Sequence, residues 1–391
     1  MEENKNKNVK MIIIGVITAV VIIGVVVCFV IAYNNIKTSN NQTNTTTTNS
    51  NNSSSSSKTA TSNSKNMNIT SGGSYDLSGE YEGVTVNTSE EVTLNLNGVE
   101  ITNSSGPAIN IEKAKKVTIA VSGTNKITAT TSEDLDGAIY SKADLVLEGT
   151  GSLEVKSNYD GIVSKDTLVI KNGTYTINSD DDGIRGKDSV EISDGTFTIN
   201  AGGDAIKASN DEDSELGYVN ITGGTYNITA KSDGIQGITK ATISGGSFNI
   251  KSAEGIEATL IKIDDGTINI EASDDGINAS KKSNISTPTV EINGGNITIK
   301  MGQGDTDGVD SNGNLYINGG TINITANSPF DCDGTVQKNG GKIIVNGTET
   351  NTITNQMMGG GMKGEMPGQM KQNGNMPNGG EMQMNGGRRG R

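Results

Sequence analysis

A right-handed parallel β-helix of about ten coils is the fold the sequence predicts, and three observations predict it. The first is a recurring corner of an acidic residue, a small residue and, in most copies, an aliphatic one. It runs Asp136-Gly-Ala, Asp160-Gly-Ile, Asp182-Gly-Ile, Asp204-Ala-Ile, Asp233-Gly-Ile, Glu254-Gly-Ile, Asp275-Gly-Ile, Asp307-Gly-Val and Asp333-Gly-Thr. The successive spacings of 24, 22, 22, 29, 21, 21, 32 and 26 define a period near 22, with extra residues in particular turns. Self-similarity at such a period is the mark of a solenoid. The second is a pair of short alternating runs within each period, such as Val190-Glu-Ile followed by Gly-Thr-Phe197-Thr-Ile. Alternating β-branched residues bounded by Gly-rich turns read as strands. The third is composition: 52 Gly, 32% hydrophobic and 3% aromatic residues do not furnish an ordinary layered core for 391 residues.

Composition also excludes chemistries. With no His, the chain has no His-based catalytic triad and no His-ligated zinc, copper or haem. Two Cys make neither a zinc ribbon nor an iron–sulfur cluster. The formal charge of −14 argues against nucleic acid as a partner. The acidity is concentrated in residues 66–356, which hold 41 acidic against 20 basic residues.

The chain opens with Lys5, Lys7 and Lys10, and residues 11–33 then run without a charge. At ~1.5 Å per residue that stretch spans the ~30 Å hydrocarbon core of a bilayer. The preceding lysines place residues 1–10 in the cytoplasm and everything after residue 33 outside the cell. A cleaved signal peptide is the rival, because Val30-Ile31-Ala32 resembles a cleavage site. The stretch exceeds the ~7–15 residues of a signal core, so a single-pass transmembrane anchor is preferred. Residues 34–65 are a linker in which 26 of 32 are Ser, Thr or Asn, a composition that cannot bury a core. The β-helix follows over residues 66–348. Residues 349–391 form a Gly/Met-rich tail, expected to be disordered, that ends in Arg388, Arg389 and Arg391. Cys332 is the one Cys beyond the anchor, so no disulfide is expected within or between chains.

Stacking coils turns each repeat position into a column. Tyr175, Phe197, Tyr226 and Phe248 resemble a platform for sugar rings, but each lies two residues before an inward Ile and shares its face. Ile268, Ile297, Ile322 and Ile343 take the same place in later coils. An interior stack is the better reading.

The acidic column comprises Asp160, Asp182, Asp204, Asp233, Glu254, Asp275, Asp307 and Asp333, with Asp180, Asp181, Asp274, Asp305, Asp310 and Asp331 beside it. Two carboxylates one coil apart repel by roughly 3–4 kcal/mol at an effective dielectric near 20. Such a stack has to be hydrated, protonated or bridged, and calcium suits an oxygen-only, carboxylate-rich site. The plain alternative is an Asp-Gly turn whose carboxylate accepts backbone N–H groups, preferred for Asp136 or Asp160 alone. For the clusters, calcium is preferred.

Three residues on runs a variable column expected to face outward, Val163, Arg185, Lys207, Gln236, Glu257, Asn278 and Asp310, of which Arg185, Lys207, Gln236, Glu257 and Asn278 are expected to touch substrate. Arg185 and Lys207 sit where the base of a calcium-dependent uronate lyase would act on the proton α to a carboxylate. Pairing with Asp182 and Asp204 is the plainer expectation.

The repeated Asp-Gly-Ile corner, the Gly-Gly-Thr turn and the Gly/Met-rich tail resemble the clostridial carbohydrate-binding β-helix family over residues 66–346. The resemblance implies a pectate-lyase-like fold, bound calcium at the acidic corner and recognition of cellulose or acidic, pectin-like chains, without established lyase activity. The anchor and tether depart from that pattern and imply a cell-attached protein. Three functions stay open: a surface polysaccharide binder, which is preferred, a calcium-dependent lyase using Arg185 or Lys207, and an adhesin or spacer with no glycan affinity.

Overall fold

The computed structural model describes residues 58–59, 65–303 and 306–354. The expected cytoplasmic segment, the anchor at 11–33, most of the linker and the tail beyond residue 354 lie outside the described residues. Among the described residues there is no helix, and none long and apolar enough to cross a membrane.

Every coil is three short strands joined by turns, and each strand pairs in parallel with its counterpart in the next coil. One ladder holds twelve strands, from Asn66–Ile69 through Asp160–Ser164, Asp233–Gly237 and Glu254–Ala258 to Ser328–Cys332. The other two ladders merge into one 24-stranded sheet because the 13-residue strand Glu91–Asn103 pairs with both Lys116–Ser122 and Thr124–Ala129. Three parallel ladders closing around one core make a parallel β-helix. Its twelve rungs exceed the ten that the repeat predicts: Asn66–Ile69, Gly83–Asn87 and Ile109–Lys113 precede the coil of Asp136, and the second of them opens on Glu82-Gly83-Val84, a further acidic-Gly-aliphatic corner in register with the later ones. A two-residue strand, Lys58–Thr59, pairs with Gly73–Tyr81 from within the stretch read as linker. Thr348–Thr350 closes the other end by turning back antiparallel on Lys342–Val345.

Two of the three faces follow the period-2 rule, with one side of each strand buried and the other outward. Thr225–Ala230, Ser247–Ser252 and Thr267–Ala272 all alternate exposed and buried. Their inward columns are Ile228-Ile250-Ile270 and the aromatics, which pack as the interior stack expected. Tyr175, Phe197, Tyr226 and Phe248 are at most 1% exposed, with successive ring centroids 5.2, 4.8 and 4.4 Å apart. The two tyrosine hydroxyls donate to the Asn172 and Gly223 carbonyls, which satisfies the polar end of each ring inside the core.

The third face departs from alternation. Asp160–Ser164 and Asp233–Gly237 are buried at every position. The glycines in the repeated corner explain part of that. A Cβ on Gly183 would lie 2.6 Å from both the Ala205 carbonyl oxygen and Ile199 Cγ2, and one on Gly234 would lie 2.4 Å from Ile250 Cγ2. The Asx-Gly and Gly-Gly pairs in the turns between strands carry positive φ, as at Gly195 after Asp194 and Gly224 after Gly223, whereas the corner glycines are held by close approach between coils.

Candidate cation and glycan site

The acidic column is a chain of hydrogen bonds before it is anything else. The N–H of Asp182 donates to Asp160 Oδ1 at 3.0 Å, that of Asp204 to Asp182 Oδ1 at 2.8 Å, and that of Asp233 to Asp204 Oδ1 at 2.9 Å. Asp307 N–H does the same to Asp275 Oδ1 at 3.0 Å. One oxygen of each of these carboxylates therefore caps the next coil, the turn role that Asp-Gly suggests, carried out between coils rather than within one.

The second oxygen is met differently along the rod. In the earlier coils it meets cations. Arg185 Nε donates to Asp160 Oδ2 at 2.7 Å, and the same guanidinium also binds Asp136. Lys207 Nζ lies 2.7 Å from Asp204 and 3.3 Å from Asp182. Burial lifts Asp160 and Asp182 above the ordinary carboxylate range, against the pull of Arg185 and Lys207 respectively. Burial also works against the charge on Arg185 and Lys207, yet the surrounding carboxylates more than offset it and hold both cations protonated.

From Asp233 onward the cations run out. The side-chain amide of Gln236 binds Asp233 and also reaches Glu257 Oε2 at 3.2 Å, and Asn278 Nδ2 donates to Glu254 Oε2 at 3.1 Å. Lys282 supplies one cation, 2.5 Å from Glu257. Asp233, Glu254 and Glu257 each offer an oxygen within 4.8 Å of the others. Burial raises Asp233, and the neighbouring acids add to it. Glu254 rises to about 7 by burial and repulsion from Glu257. Further along, burial takes Asp275 to about 6 and Asp310 to about 7, the latter with Asp275, Asp307, Asp331 and Asp333 around it. None of Asp275, Asp310, Asp331 or Asp333 has an ion pair among the described residues. Asn278 Oδ1, Thr306 Oγ1, Ser328 Oγ and Asp331 Oδ1 are buried there without a hydrogen-bond donor or acceptor.

Calcium fits this donor set on its chemistry: carboxylate, amide and hydroxyl oxygens only, with several buried and uncompensated. Asp233, Glu254 and Glu257 would hold one ion. The matching triad of Asp160, Asp181 and Asp182 is less apt, since Arg185 and Lys207 already neutralise two of its members. Asp180, Asp181, Asp274 and Asp333 are exposed, and Asp305 lies outside the described residues.

Two placements differ from the sequence reading. Asp333 does not occupy the acidic column: Ser328 stands opposite Asp307, Phe330 takes the place of the inward aliphatic residue, and Asp331 pairs with Asp310. The Asp333-Gly-Thr match lies past the strand, because this last coil opens without an acidic residue. The variable column does run in register through Val163, Arg185, Lys207, Gln236, Glu257, Asn278 and Asp310. It does not face solvent as expected. Val163, Gln236, Glu257 and Asn278 are all buried, because side chains of this column fold back onto ladder acids of their own or a neighbouring coil. The sequence reading also separated Glu257 from the acidic cluster that it joins. Its position three residues after Glu254, like that of Arg185 after Asp182, was the available signal. Lys282, in an inserted turn, had none, whereas Asp136 heads the recurring corner that the repeat marks.

Among the described residues the acids, amides and cations of the ladder are spread along the stacked coils of a β-solenoid. The chain belongs to the family of carbohydrate-binding domain-containing proteins, whose model matches residues 63–308 and 258–373. Among solved structures it is similar to the polysaccharide lyase-like protein from C. thermocellum, determined as a gadolinium derivative, with 25% identity and a TM-score of 0.40 over 77% of this chain and 90% of that one. No curated protein matches the chain.

Proposed function

We propose that this protein is a calcium-dependent binder of plant-type polysaccharide, cellulose or acidic pectin-like chains, displayed at the cell surface. Membership of a carbohydrate-binding family supports the polymer. The observation that carries calcium is the cation-poor half of the acidic ladder, where Asp233, Glu254, Glu257, Asp275 and Asp310 lie buried or half-buried with few counter-charges. Bound calcium would neutralise that run and supply a bridge to carboxylates of a polymer that a domain this acidic otherwise repels. The charge-free stretch at 11–33 and the Ser/Thr/Asn-rich segment after it support attachment to the outer face of a membrane.

The lyase reading gains nothing from the geometry. A general base must shed its proton near neutral pH, and Arg185 and Lys207 are each held as cations by at least two carboxylates.

The test is depletion of the detergent-solubilised full chain by insoluble polygalacturonate and by cellulose, in calcium and then in chelator. Retention in calcium that is lost in chelator, with no unsaturated uronide in the supernatant, is the expected result. Equal retention in both conditions removes calcium from the function, and no retention on either polymer removes the function itself.

A further inference from the structure

The acidic corner is flanked by a groove of opposite character. On the neighbouring face, the seven strands from Thr174–Ser179 to Thr321–Thr325 present outward rows of Thr, Ser and Asn, and their charged side chains are Lys251, Glu271 and Lys300 alone. Thr229, Lys251, Glu271 and Lys300 stand in successive coils in one row, with Asn227, Asn249 and Asn269 in the row beside it. Two contiguous depressions of about 470 and 410 Å³ share the members of that first row. Lys231 adds a third ammonium group at the rim. Lys231 and Lys251 make no ion pair among the described residues, and the single pair, Lys300 with Glu271, is 3.4 Å long and solvent-exposed.

The groove's depth has a local cause. At the end of each strand here the inward position is small or flexible: Ala230, Ser252, Ala272 and Met301, which line the floor. Ser252 and Ala253 lead directly into Glu254, so the groove borders the acidic corner across one turn.

We infer that this lysine-rimmed groove is the docking surface for a linear, carboxylate-bearing sugar chain laid along the solenoid axis. The inference rests on the polysaccharide function proposed above and assigns it a place. Adjacent coils are ~4.8 Å apart, close to the length of one pyranose unit, so a chain running along the stack meets an equivalent position at each sugar. The Asn row offers both donors and acceptors to ring hydroxyls, and Asn269 Nδ2 already bridges to Asn249 Oδ1 at 3.1 Å. Lys231, Lys251 and Lys300 are a local excess of positive charge on a strongly acidic rod, so they select a polymer whose own charge is negative. The groove lacks the aromatic side chains that would stack nucleobases, which leaves uronates as the fitting polyanion.

The experiment compares the full chain with Lys251→Gln, Lys300→Gln and the double variant, in calcium, on soluble polygalacturonate and on neutral cello-oligosaccharide. All three positions at the rim are exposed, so the variants should melt like the parent, which is checked directly. The expected result is a loss of affinity for polygalacturonate of about fivefold per lysine, the scale of one exposed ion pair. Lys251→Arg should bind as the parent does, binding should weaken with added salt, and the calcium-induced rise in melting temperature should not change. An unchanged affinity in the double variant overturns the groove assignment and leaves the polysaccharide function standing. A parent that binds cello-oligosaccharide but not polygalacturonate overturns it too. A parent that binds neither polymer overturns the function and the groove together.

Discussion

Arg185 is enclosed by Asp136, Asp160 and Asp182, its Nε 2.7 Å from one carboxylate and 3.6 Å from another, with a side chain only 16% exposed. A cation so placed is part of the fold. Its three partners were taken out of water when the coils stacked, and their mutual repulsion is tolerable only while it stays. Arg185→Ala should therefore destabilise the solenoid by about 3–5 kcal/mol, the cost of stranding buried carboxylates. The denaturant midpoint measures it, and Asp136→Asn with Asp160→Asn in the same chain should recover part of the loss. A midpoint unmoved by Arg185→Ala would mean that these acids are solvated and that the pairs contribute little. The same physics separates the two halves of the column. Where Arg185 and Lys207 occupy the variable position, the ladder is internally neutralised. Where Gln236, Glu257 and Asn278 follow in that position, the acids are left to be protonated or to recruit a cation from solution.

The unit that repeats is a corner whose glycine touches the next coil. Gly234 shows how little room there is: a Cβ would lie 2.4 Å from Ile250 Cγ2 and 2.6 Å from the Gly255 carbonyl oxygen. Gly234→Ala should force the two coils apart and cost about 1–3 kcal/mol, seen as a lower denaturant midpoint. Ala205 fills the same place in its own coil, fully buried, so Ala205→Gly should cost about 1 kcal/mol by the same measurement, through the lost methyl burial and the freer unfolded backbone. Both substitutions being silent would place the reason for glycine in the turn rather than in the contact. The 22-residue period made the corner, the interior aromatic stack and the register of the variable column legible, because each depends only on which residues recur together. What it left illegible depends on shape. The burial of the variable column follows from side chains folding back over the strand, and no residue type declares that. The groove was hidden because Lys251 and Lys300 are 49 positions apart, with an insertion between their coils, and only the strand register puts them in one row.

Along the solenoid the acidic ladder gathers carboxyl groups whose proton affinity burial raises, and that reverses the usual effect of acid on stability. Glu254 and Asp310 titrate in the folded state near 7 and Asp275 near 6, against about 4 in the unfolded chain. Burial is the leading cause for each, with repulsion from neighbouring acids adding to it, and it is opposed by the Asn278 amide at Glu254 and by the Asp307 N–H at Asp275. Because the folded pKa values are raised, the native state binds more protons than the unfolded chain between pH ~4 and pH ~7. Stability is then greatest below that window and falls as pH rises through it. A tenfold difference in proton affinity between the folded and unfolded chain is worth about 1.4 kcal/mol, so after discounting for partial exposure the groups together carry roughly 2 kcal/mol or more. Without calcium, the melting temperature should rise by about 5 °C or more on going from pH 8 to pH 5, at ~2–4 °C per kcal/mol. Calcium should remove most of that slope, since it stabilises the ionised ladder and has less to bind once protons hold the same oxygens. Its own stabilising effect should accordingly be large at pH 8 and small at pH 5. Melting curves at the two pH values, each with calcium and with chelator, give all four numbers. A chelated protein that melts lower at pH 5 than at pH 8 would mean that the ladder is ionised and content without a metal, and the calcium assignment would fall with it.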